Sequence, residues 1–120
     1  MNSSDQLNEN LDTAASLIEK ARADGARLAV LPENFAVFNA KQMYQTGLVE
    51  ASDQPIIRPF MSRLAKQHQM FLIAGTLPVA VPESRVHPNN QAVKNRVRAA
   101  SFCYDDQGVE LARYDKLHLF

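Results

Sequence analysis

The sequence predicts an α/β fold, because a long amphipathic helical segment alternates with short apolar segments of β character. Residues 5–24 carry apolar side chains at three- and four-residue spacing, which is typical of a helix with one buried stripe. The apolar segments 27–31 and 71–75 end at proline or glycine, as buried strands do. Residues 93–104 alternate in character and precede a turn signal, which predicts an antiparallel hairpin.

The bulk composition bounds the class of protein. With 120 residues, the chain is one domain or part of one. Its 13 basic and 13 acidic side chains cancel, so the composition predicts no nucleic-acid or membrane partner. No apolar run approaches the roughly 18–20 residues of a membrane helix, and the N-terminus lacks the regions of a signal peptide. A single cysteine excludes an internal disulfide and predicts a cytoplasmic location.

The first helix has the clearest pattern. Ser4 or Asp5 can cap its start, and Gly25 can end it in a left-handed turn. Its apolar stripe consists of Leu7, Leu11, Ala14, Ala15, Ile18 and Ala21. A helix, a glycine and a short buried strand in that order form the second half of an α/β repeat.

The middle of the chain predicts two more helices and a strand. Residues 39–47 predict a short helix that ends at Gly47. A longer helix is expected to begin near Pro59, because proline is tolerated in the first helical turn but not inside a helix. The strand 71–75 is expected to end at Gly75-Thr76-Leu77-Pro78.

The last third predicts a loop and a hairpin. Residues 78–92 contain three prolines and two adjacent asparagines, which is typical of a variable surface loop. Asp105-Asp106-Gln107-Gly108 is a hairpin turn signal, and residues 109–114 return as the partner strand. The preceding strand is expected to place Val97, Ala99, Ser101 and Cys103 on one face, and Arg96, Arg98, Ala100, Phe102 and Tyr104 on the other.

Glu33 and Lys116 are the candidate site residues, because each follows the end of a predicted strand. Strand ends in α/β proteins are rigid and open onto a crevice. A carboxylate in a half-buried crevice becomes a usable general base, because burial disfavours its charged form. A lysine in a largely apolar segment offers positive charge to a developing oxyanion. Taken alone, each also has an ordinary interpretation, as a solvated loop glutamate and as a lysine that protects an edge strand.

Two segments resemble the glutamate and lysine motifs of the nitrilase superfamily, the carbon-nitrogen hydrolases: Leu28-Ala29-Val30-Leu31-Pro32-Glu33-Asn34-Phe35 and Tyr114-Asp115-Lys116-Leu117-His118-Leu119-Phe120. The resemblance implies an α-β-β-α sandwich, of which residues 1–120 would be a partial domain. It also implies a Glu-Lys-Cys site acting on small-molecule amides, closest to omega-amidases and deaminated glutathione amidases. Glu33 would be the base and Lys116 the oxyanion partner, with no cofactor or metal, in a homo-oligomer.

The resemblance is incomplete at both ends. Family chains usually open with an apolar strand before the first long helix, and residues 1–4 have no such strand. The nucleophilic cysteine and second glutamate, which follow the lysine motif in the family, have no counterpart either. The expected function is therefore that of the N-terminal part of an amidase. Two alternatives stay open: a non-catalytic half-domain that binds or regulates, and a truncated piece of a catalytic parent.

Cys103 is not expected to be the nucleophile. Phe102-Cys103-Tyr104-Asp105 is similar to the family's cysteine motif, but it precedes the lysine and lies inside an alternating strand. A buried, unreactive thiol is expected. His118 is expected to be structural, and His68 and His87 stand alone, so no spacing of His, Cys, Asp or Glu predicts a metal site. The isolated chain is expected to be inactive and to self-associate.

Overall fold

The computed structural model describes residues 6–81 and 97–116. Those residues form a mixed α/β arrangement of three helices and one four-stranded sheet. No helix within the described ranges has both the length and the apolar character needed to cross a membrane. The elements in chain order are α1 (Leu7–Ala23), β1 (Leu28–Val30), α2 (Ala40–Ala51), α3 (Ile57–His68), β2 (Phe71–Ala80), β3 (Val97–Tyr104) and β4 (Glu110–Asp115).

The sheet has its strands in chain order, β1-β2-β3-β4. Strand β1 runs parallel to β2, whereas β2, β3 and β4 are successively antiparallel. The register aligns Leu72 with Tyr104 and Ala74 with Phe102, and all four side chains are buried in one core with the helices. The helices therefore cover one face of the sheet, and the core lies between them and that face.

The opposite face of the sheet is not covered by any described element. A single row crosses all four strands, with Val30 aligned to Ile73, Ile73 to Cys103, and Cys103 to Ala112, and none of these four residues is buried. We call this surface the open face. By register and alternation it comprises Leu28, Val30, Phe71, Ile73, Ser101, Cys103, Ala112 and Tyr114.

The structure changes the predicted environment of two residues on the open face. Cys103 was expected to be buried, but it is half-buried, because its side of β3 points away from the helices. The predicted alternation of β3 is otherwise confirmed, with Ala100, Phe102 and Tyr104 on the buried side. Strand β1 was also expected to be buried, yet Val30 is 63% exposed, because its side chain lies on the open face, whereas Ala29 in the same strand packs against the core.

Helix α1 follows its predicted pattern closely. Leu11, Ala14 and Ile18 are buried, and the rest of the predicted stripe packs against the core. Gln6 occupies the N-cap position, whereas the predicted caps at residues 4–5 lie outside the described residues. The chain leaves the helix through Gly25, whose φ of +93° is the left-handed conformation that the glycine was expected to supply.

Helix α2 is longer than predicted. It begins at Ala40, with Asn39 Oδ1 accepting the backbone N–H groups of Lys41 and Gln42, and it continues through Gly47 to Ala51. The prediction that Gly47 ends the helix is wrong, because this glycine serves packing. A Cβ atom there would lie 2.9 Å from Val97 Cγ1, so its absence lets α2 approach the sheet.

The other two corrections concern boundaries. Helix α3 begins at Ile57, two residues before the predicted start at Pro59, so this proline lies in the first turn of the helix. Strand β2 does not end at Gly75 but continues to Ala80, with a register irregularity between Ala74 and Leu77. Pro78 is tolerated in the second half of β2 because β1 pairs only with residues 71–73, so no described strand is hydrogen-bonded to that side of β2 at the proline.

The hairpin between β3 and β4 is confirmed. Asp105 Oδ1 accepts the backbone N–H groups of Gln107 and Val109, and Gly108 has a φ of +81°. Of the predicted loop 78–92, residues 78–80 belong to β2 and residues 82–92 lie outside the described residues.

Candidate active site

Glu33 reaches the sheet because the chain crosses over β2 immediately after β1. The Leu31 N–H still donates to the Ile73 carbonyl at 2.9 Å, and Pro32 then passes above Gly75. A Cβ atom on Gly75 would lie 2.0 Å from the Pro32 carbonyl oxygen and 2.1 Å from that of Leu31. Only glycine allows this close backbone approach, so Gly75 determines where the turn that carries Glu33 can lie.

A left-handed residue reverses the chain directly after Glu33. Asn34 has a φ of +53°, and its backbone N–H donates to Thr76 Oγ1 at 3.0 Å. Asparagine is one of the few residues that adopt this conformation at low cost. The next residue, Phe35, is fully buried and fixes the chain beyond the turn. Glu33 is thus held between a glycine crossing on one side and an anchored aromatic residue on the other.

Lys116 arrives from the opposite edge of the sheet. Its backbone N–H donates to the Ala99 carbonyl at 2.8 Å, which extends the β3–β4 ladder one residue past Asp115. Alternation along β4 places residues 112, 114 and 116 on the open face and residues 113 and 115 on the helix face. The hydroxyl of Ser101 donates to the Gly75 carbonyl, which links β3 to the glycine crossing.

The two candidate side chains meet. Lys116 Nζ lies 2.8 Å from Glu33 Oε1, although the residues are 83 positions apart in the chain. The expected convergence of Glu33 and Lys116 at one end of the sheet is therefore confirmed. The Lys116 side chain is 30% exposed and that of Glu33 is 48% exposed, so the ion pair is open to solvent and to a small molecule.

This pair has the chemical groups for two steps of acyl transfer. A carboxylate can accept a proton from a nucleophile, and an ammonium can donate hydrogen bonds to an oxyanion. Their mutual contact holds both groups together at one end of the sheet before any ligand is bound. The pair by itself supplies no nucleophile.

Cys103 lies on β3, at a distance from the Glu33–Lys116 pair. The backbone of Lys116 is hydrogen-bonded to Ala99, and Cys103 is four residues further along the strand, about 13 Å at the rise of an extended chain. It sits in the middle of the sheet between Ile73 and Ala112. A strand-centre thiol has neither the exposed elbow nor the adjacent base that activates a nucleophile.

Among the described residues, neither a histidine nor a metal-binding group accompanies the pair. His68 ends α3 on the other side of the sheet, and residues 87 and 118 lie outside the described residues. Within residues 6–81 and 97–116, no group of three or more His, Cys, Asp or Glu side chains is arranged to hold a metal ion.

Comparison with known proteins decides the family. The family profile described as carbon-nitrogen hydrolase matches residues 1–120, which is the whole chain. The chain belongs to the carbon-nitrogen hydrolase family.

Relatives within the carbon-nitrogen hydrolases include amidases. A deaminated glutathione amidase from Synechocystis sp. (strain PCC 6803) is 33% identical over 123 residues, covering 100% of this chain and 40% of the relative. The chain thus spans about two fifths of the length of that relative.

Solved structures support the same fold. Nit3 of Saccharomyces cerevisiae, a nitrilase superfamily member, has a TM-score of 0.78 at 24% identity, covering 98% of this chain and 41% of Nit3. An amidase from Nesterenkonia sp. AN1, solved with acrylamide added at its active site cysteine, has a TM-score of 0.72 at 22% identity, covering 100% of this chain and 42% of the amidase. The partial coverage agrees with a partial nitrilase-type fold, as the sequence predicted.

Sequence reasoning missed the residues that position Glu33 and Lys116. Gly75 and Thr76 were interpreted as the end of a strand, whereas they carry the crossing of Pro32 and the reversal at Asn34. Ser101 was assigned only to a face of β3 and in fact bonds to the Gly75 carbonyl. A Gly-Thr pair inside an apolar strand was the available signal, because glycine within a strand often marks close backbone approach.

Proposed function

We propose that residues 1–120 carry the general base and the oxyanion partner of an amidase, as a partial carbon-nitrogen hydrolase domain. Glu33 is the base and Lys116 the oxyanion partner. The observation that carries the proposal is the 2.8 Å contact between Lys116 Nζ and Glu33 Oε1 at one end of the sheet. The nucleophile is a cysteine from outside these residues, since Cys103 lies in the middle of β3.

The reaction follows from these roles. Glu33 takes the proton of the cysteine thiol, and the thiolate attacks the carbonyl carbon of the amide. Lys116 donates hydrogen bonds to the oxygen of the tetrahedral intermediate, whose negative charge it offsets. The C–N bond then breaks, the protonated Glu33 returns its proton to the leaving amine, and a thioester remains. Water, activated by Glu33, hydrolyses the thioester to a carboxylic acid and restores the thiol.

The substrate class is a small amide that bears a carboxylate. The matching relatives named deaminated glutathione amidase and omega-amidase support this choice over a nitrile. The half-exposed pair also suits a small molecule that approaches from solvent. We place the protein in the cytoplasm, on its single cysteine, and in a homo-oligomer, as the family resemblance implies.

A second candidate function is a binding or regulatory half-domain without catalysis. The position of Cys103 favours it, because no thiol among the described residues stands beside Glu33 and Lys116. In-frame coding sequence downstream of Phe120 distinguishes the two candidates. A cysteine segment there supports the amidase, and a stop codon without one supports the half-domain.

A chimera tests the amidase directly. Residues 1–120 replace the matching segment of the Synechocystis amidase, and ammonia release is measured with a 2-oxo-dicarboxylate monoamide. We expect turnover in the chimera and none in the 120-residue chain alone. E33Q and K116M should each lower kcat/KM at least about 100-fold.

Charge-matched substitutions on exposed helical positions, E19Q and K41M, serve as controls and should leave kcat/KM within about twofold. A chimera that is active and insensitive to E33Q would contradict the proposed roles. A folded chimera with no turnover would favour the binding half-domain.

A further inference from the structure

A second cleft lies on the helix face of the sheet, away from the Glu33–Lys116 pair. Its volume is about 320 Å³, and three arginines line it together with two carboxylates and the end of β2. We call it the arginine cleft and define it by Glu50, Arg58, Val79, Arg98, Arg113 and Asp115. The strand register places the cleft residues of β2, β3 and β4 on the helix face of the sheet, with Arg98 aligned to Val79 and Arg113 aligned to Phe102.

The first carboxylate of the cleft, Glu50, caps the start of a helix. The Glu50 side chain is fully buried, and its two oxygens accept the backbone N–H groups of Ile56, Ile57 and Arg58 at 2.7, 2.8 and 3.1 Å. These amides form the start of α3, where the helix dipole carries partial positive charge. Glu50 therefore satisfies the start of α3, and it also pairs with one arginine of the cleft, since Arg58 Nε lies 3.5 Å from Glu50 Oε1.

The second carboxylate is shared. Asp115 accepts from Arg113 Nε at 2.7 Å and lies 3.9 Å from Arg98 Nε. The Arg98 side chain remains 45% exposed and that of Arg113 remains 39% exposed. Three guanidinium groups thus face two carboxylates, of which Glu50 pairs with Arg58 and Asp115 is shared by Arg98 and Arg113. The cleft keeps an excess of positive charge, and Arg58 Nε is buried without a hydrogen-bond partner among the described residues.

An aromatic ring holds two of the guanidinium groups in place. Arg58 and Arg113 each lie over the ring of Phe102, at 5.4 Å from its centroid. Phe102 is buried in the core, so it provides a rigid base for both cations. Arginines that are held in this way lose less side-chain freedom when they bind a ligand.

We propose that the arginine cleft binds a small oxyanion, either the carboxylate of an organic acid or a phosphate group. Both present planar or forked oxygen pairs that match the donors of a guanidinium. The cleft is distinct from the candidate active site, because the consecutive residues Asp115 and Lys116 point to opposite faces of the sheet. Asp115 acts as an internal competitor that occupies the arginines in the absence of the ligand.

Isothermal titration of the 120-residue chain with inorganic phosphate and with glutarate, at low ionic strength, tests the proposal. Chloride at matched ionic strength is the control for general screening. We expect saturable binding with a Kd of about 1 mM or tighter for at least one of the two anions. Binding of phosphate alone identifies a phosphate ligand, and binding of glutarate alone identifies an organic acid.

Variants give effects of opposite sign. R98A and R113K should weaken binding about tenfold, because the first removes a charge and the second removes bidentate donation. D115N should tighten binding, because it frees both arginines from their internal partner. R63A, which removes the same charge from an exposed position on α3, should change nothing. Circular dichroism of each variant confirms that the fold is kept.

Two results would overturn the proposal. One is the absence of saturable binding of both anions to the wild type and to D115N. The other is an equal loss in R63A and R98A, which would indicate attraction to net charge without a site.

Discussion

At the residue scale, the Glu33–Lys116 contact serves geometry more than stability. Both side chains are partly exposed, and exposed ion pairs gain little because water and salt screen them. The contact matters because it fixes the positions of a carboxylate and an ammonium before a substrate is bound. In the same region, Asn34 adopts a left-handed conformation that Thr76 stabilises.

A double-mutant cycle of E33Q and K116M measures the coupling between the two side chains. We expect a coupling free energy of at most about 1 kcal/mol, from urea unfolding at low salt. The same cycle at high salt should give a smaller value. A coupling above about 2 kcal/mol would mean that the pair is desolvated in solution, unlike in the structure.

Tyr104 predicts alkaline sensitivity. Burial raises the pKa of its phenol far above the ordinary 10.0, and the nearby Glu110 adds to the shift. The unfolded chain then loses this proton at a lower pH than the folded chain. The free energy of unfolding should therefore fall as pH rises above about 10, by up to about 1.4 kcal/mol per pH unit.

The control for Tyr104 is Y104F. Its hydroxyl is buried without a hydrogen-bond partner among the described residues, so its removal should cost little or nothing at pH 7. Denaturant unfolding between pH 8 and 11 should show the alkaline slope in the wild type and a shallower one in Y104F. Equal slopes in both proteins would contradict this account.

At the element scale, local sequence patterns were enough to predict an element when a single apolar stripe of that element packs against the core. Helix α1 and the β3–β4 hairpin followed from periodicity and turn residues alone. The errors at Gly47 and Gly75 have one cause, which is that each glycine was interpreted as local punctuation. Gly47 lets α2 approach β2 and β3, and Gly75 lets the chain after β1 pass close to β2. These are tertiary contacts, which local sequence does not encode.

The candidate site likewise contains residues that the sequence predicted and residues that it did not. Glu33 and Lys116 were found because each follows a strand and matches a family motif. Their contact could be expected because a sheet gathers its strand ends at one edge. The supporting residues Gly75, Thr76 and Ser101 were not found, since their roles depend on the path of the chain after β1.

G75A tests whether the glycine crossing holds the site. A Cβ atom 2.0 Å from the Pro32 carbonyl oxygen cannot be accommodated without moving the turn. We expect a loss of about 3 kcal/mol or more in the free energy of unfolding, measured in urea. G25A is the matched control, because nothing lies within 4 Å of its Cβ position and only the φ of +93° opposes the substitution.

The control should cost about 1–2 kcal/mol, from backbone strain alone. Comparable losses in G75A and G25A would show that the chain can cross β2 at a greater distance. The positioning role of Gly75 would then be wrong.

At the scale of the whole molecule, the open face is the surface through which we expect the 120-residue chain to self-associate in solution. It presents Val30, Ile73 and Cys103 in one row, with no described element above them. Uncovered apolar sheet surface favours association. The chain spans about 40% of the length of the Synechocystis relative, so in a longer protein other residues can cover this face.

Self-association of the 120-residue chain should therefore involve the open face. Size-exclusion chromatography with light scattering is expected to show dimers or larger species that dissociate on dilution. V30D adds a charge at a position that is 63% exposed and should shift the equilibrium to monomer. S16D, at an exposed position of α1, should have no effect.

Cys103 reports on the same surface. A half-buried thiol should react with a thiol reagent in the folded monomer, contrary to the buried thiol that the sequence predicts. Its labelling rate should fall as protein concentration rises, and V30D should remove that dependence. A rate independent of concentration in an associating sample would place the contact elsewhere.

Because side chains alternate between the two faces at the end of β4, the length of the hairpin determines which charged side chain lies on each face. Asp115 faces the arginines and Lys116 faces Glu33, so the two sites receive opposite charges from neighbouring residues. Deleting one residue from the turn at 105–108 would slide β4 by one position, so that Lys116 takes the register position of Asp115 and Asp115 that of Tyr114 on the open face. An ammonium would then enter a cluster of guanidinium groups, and Glu33 would lose its ammonium partner. Four turn residues thus set the polarity of both sites without contacting either.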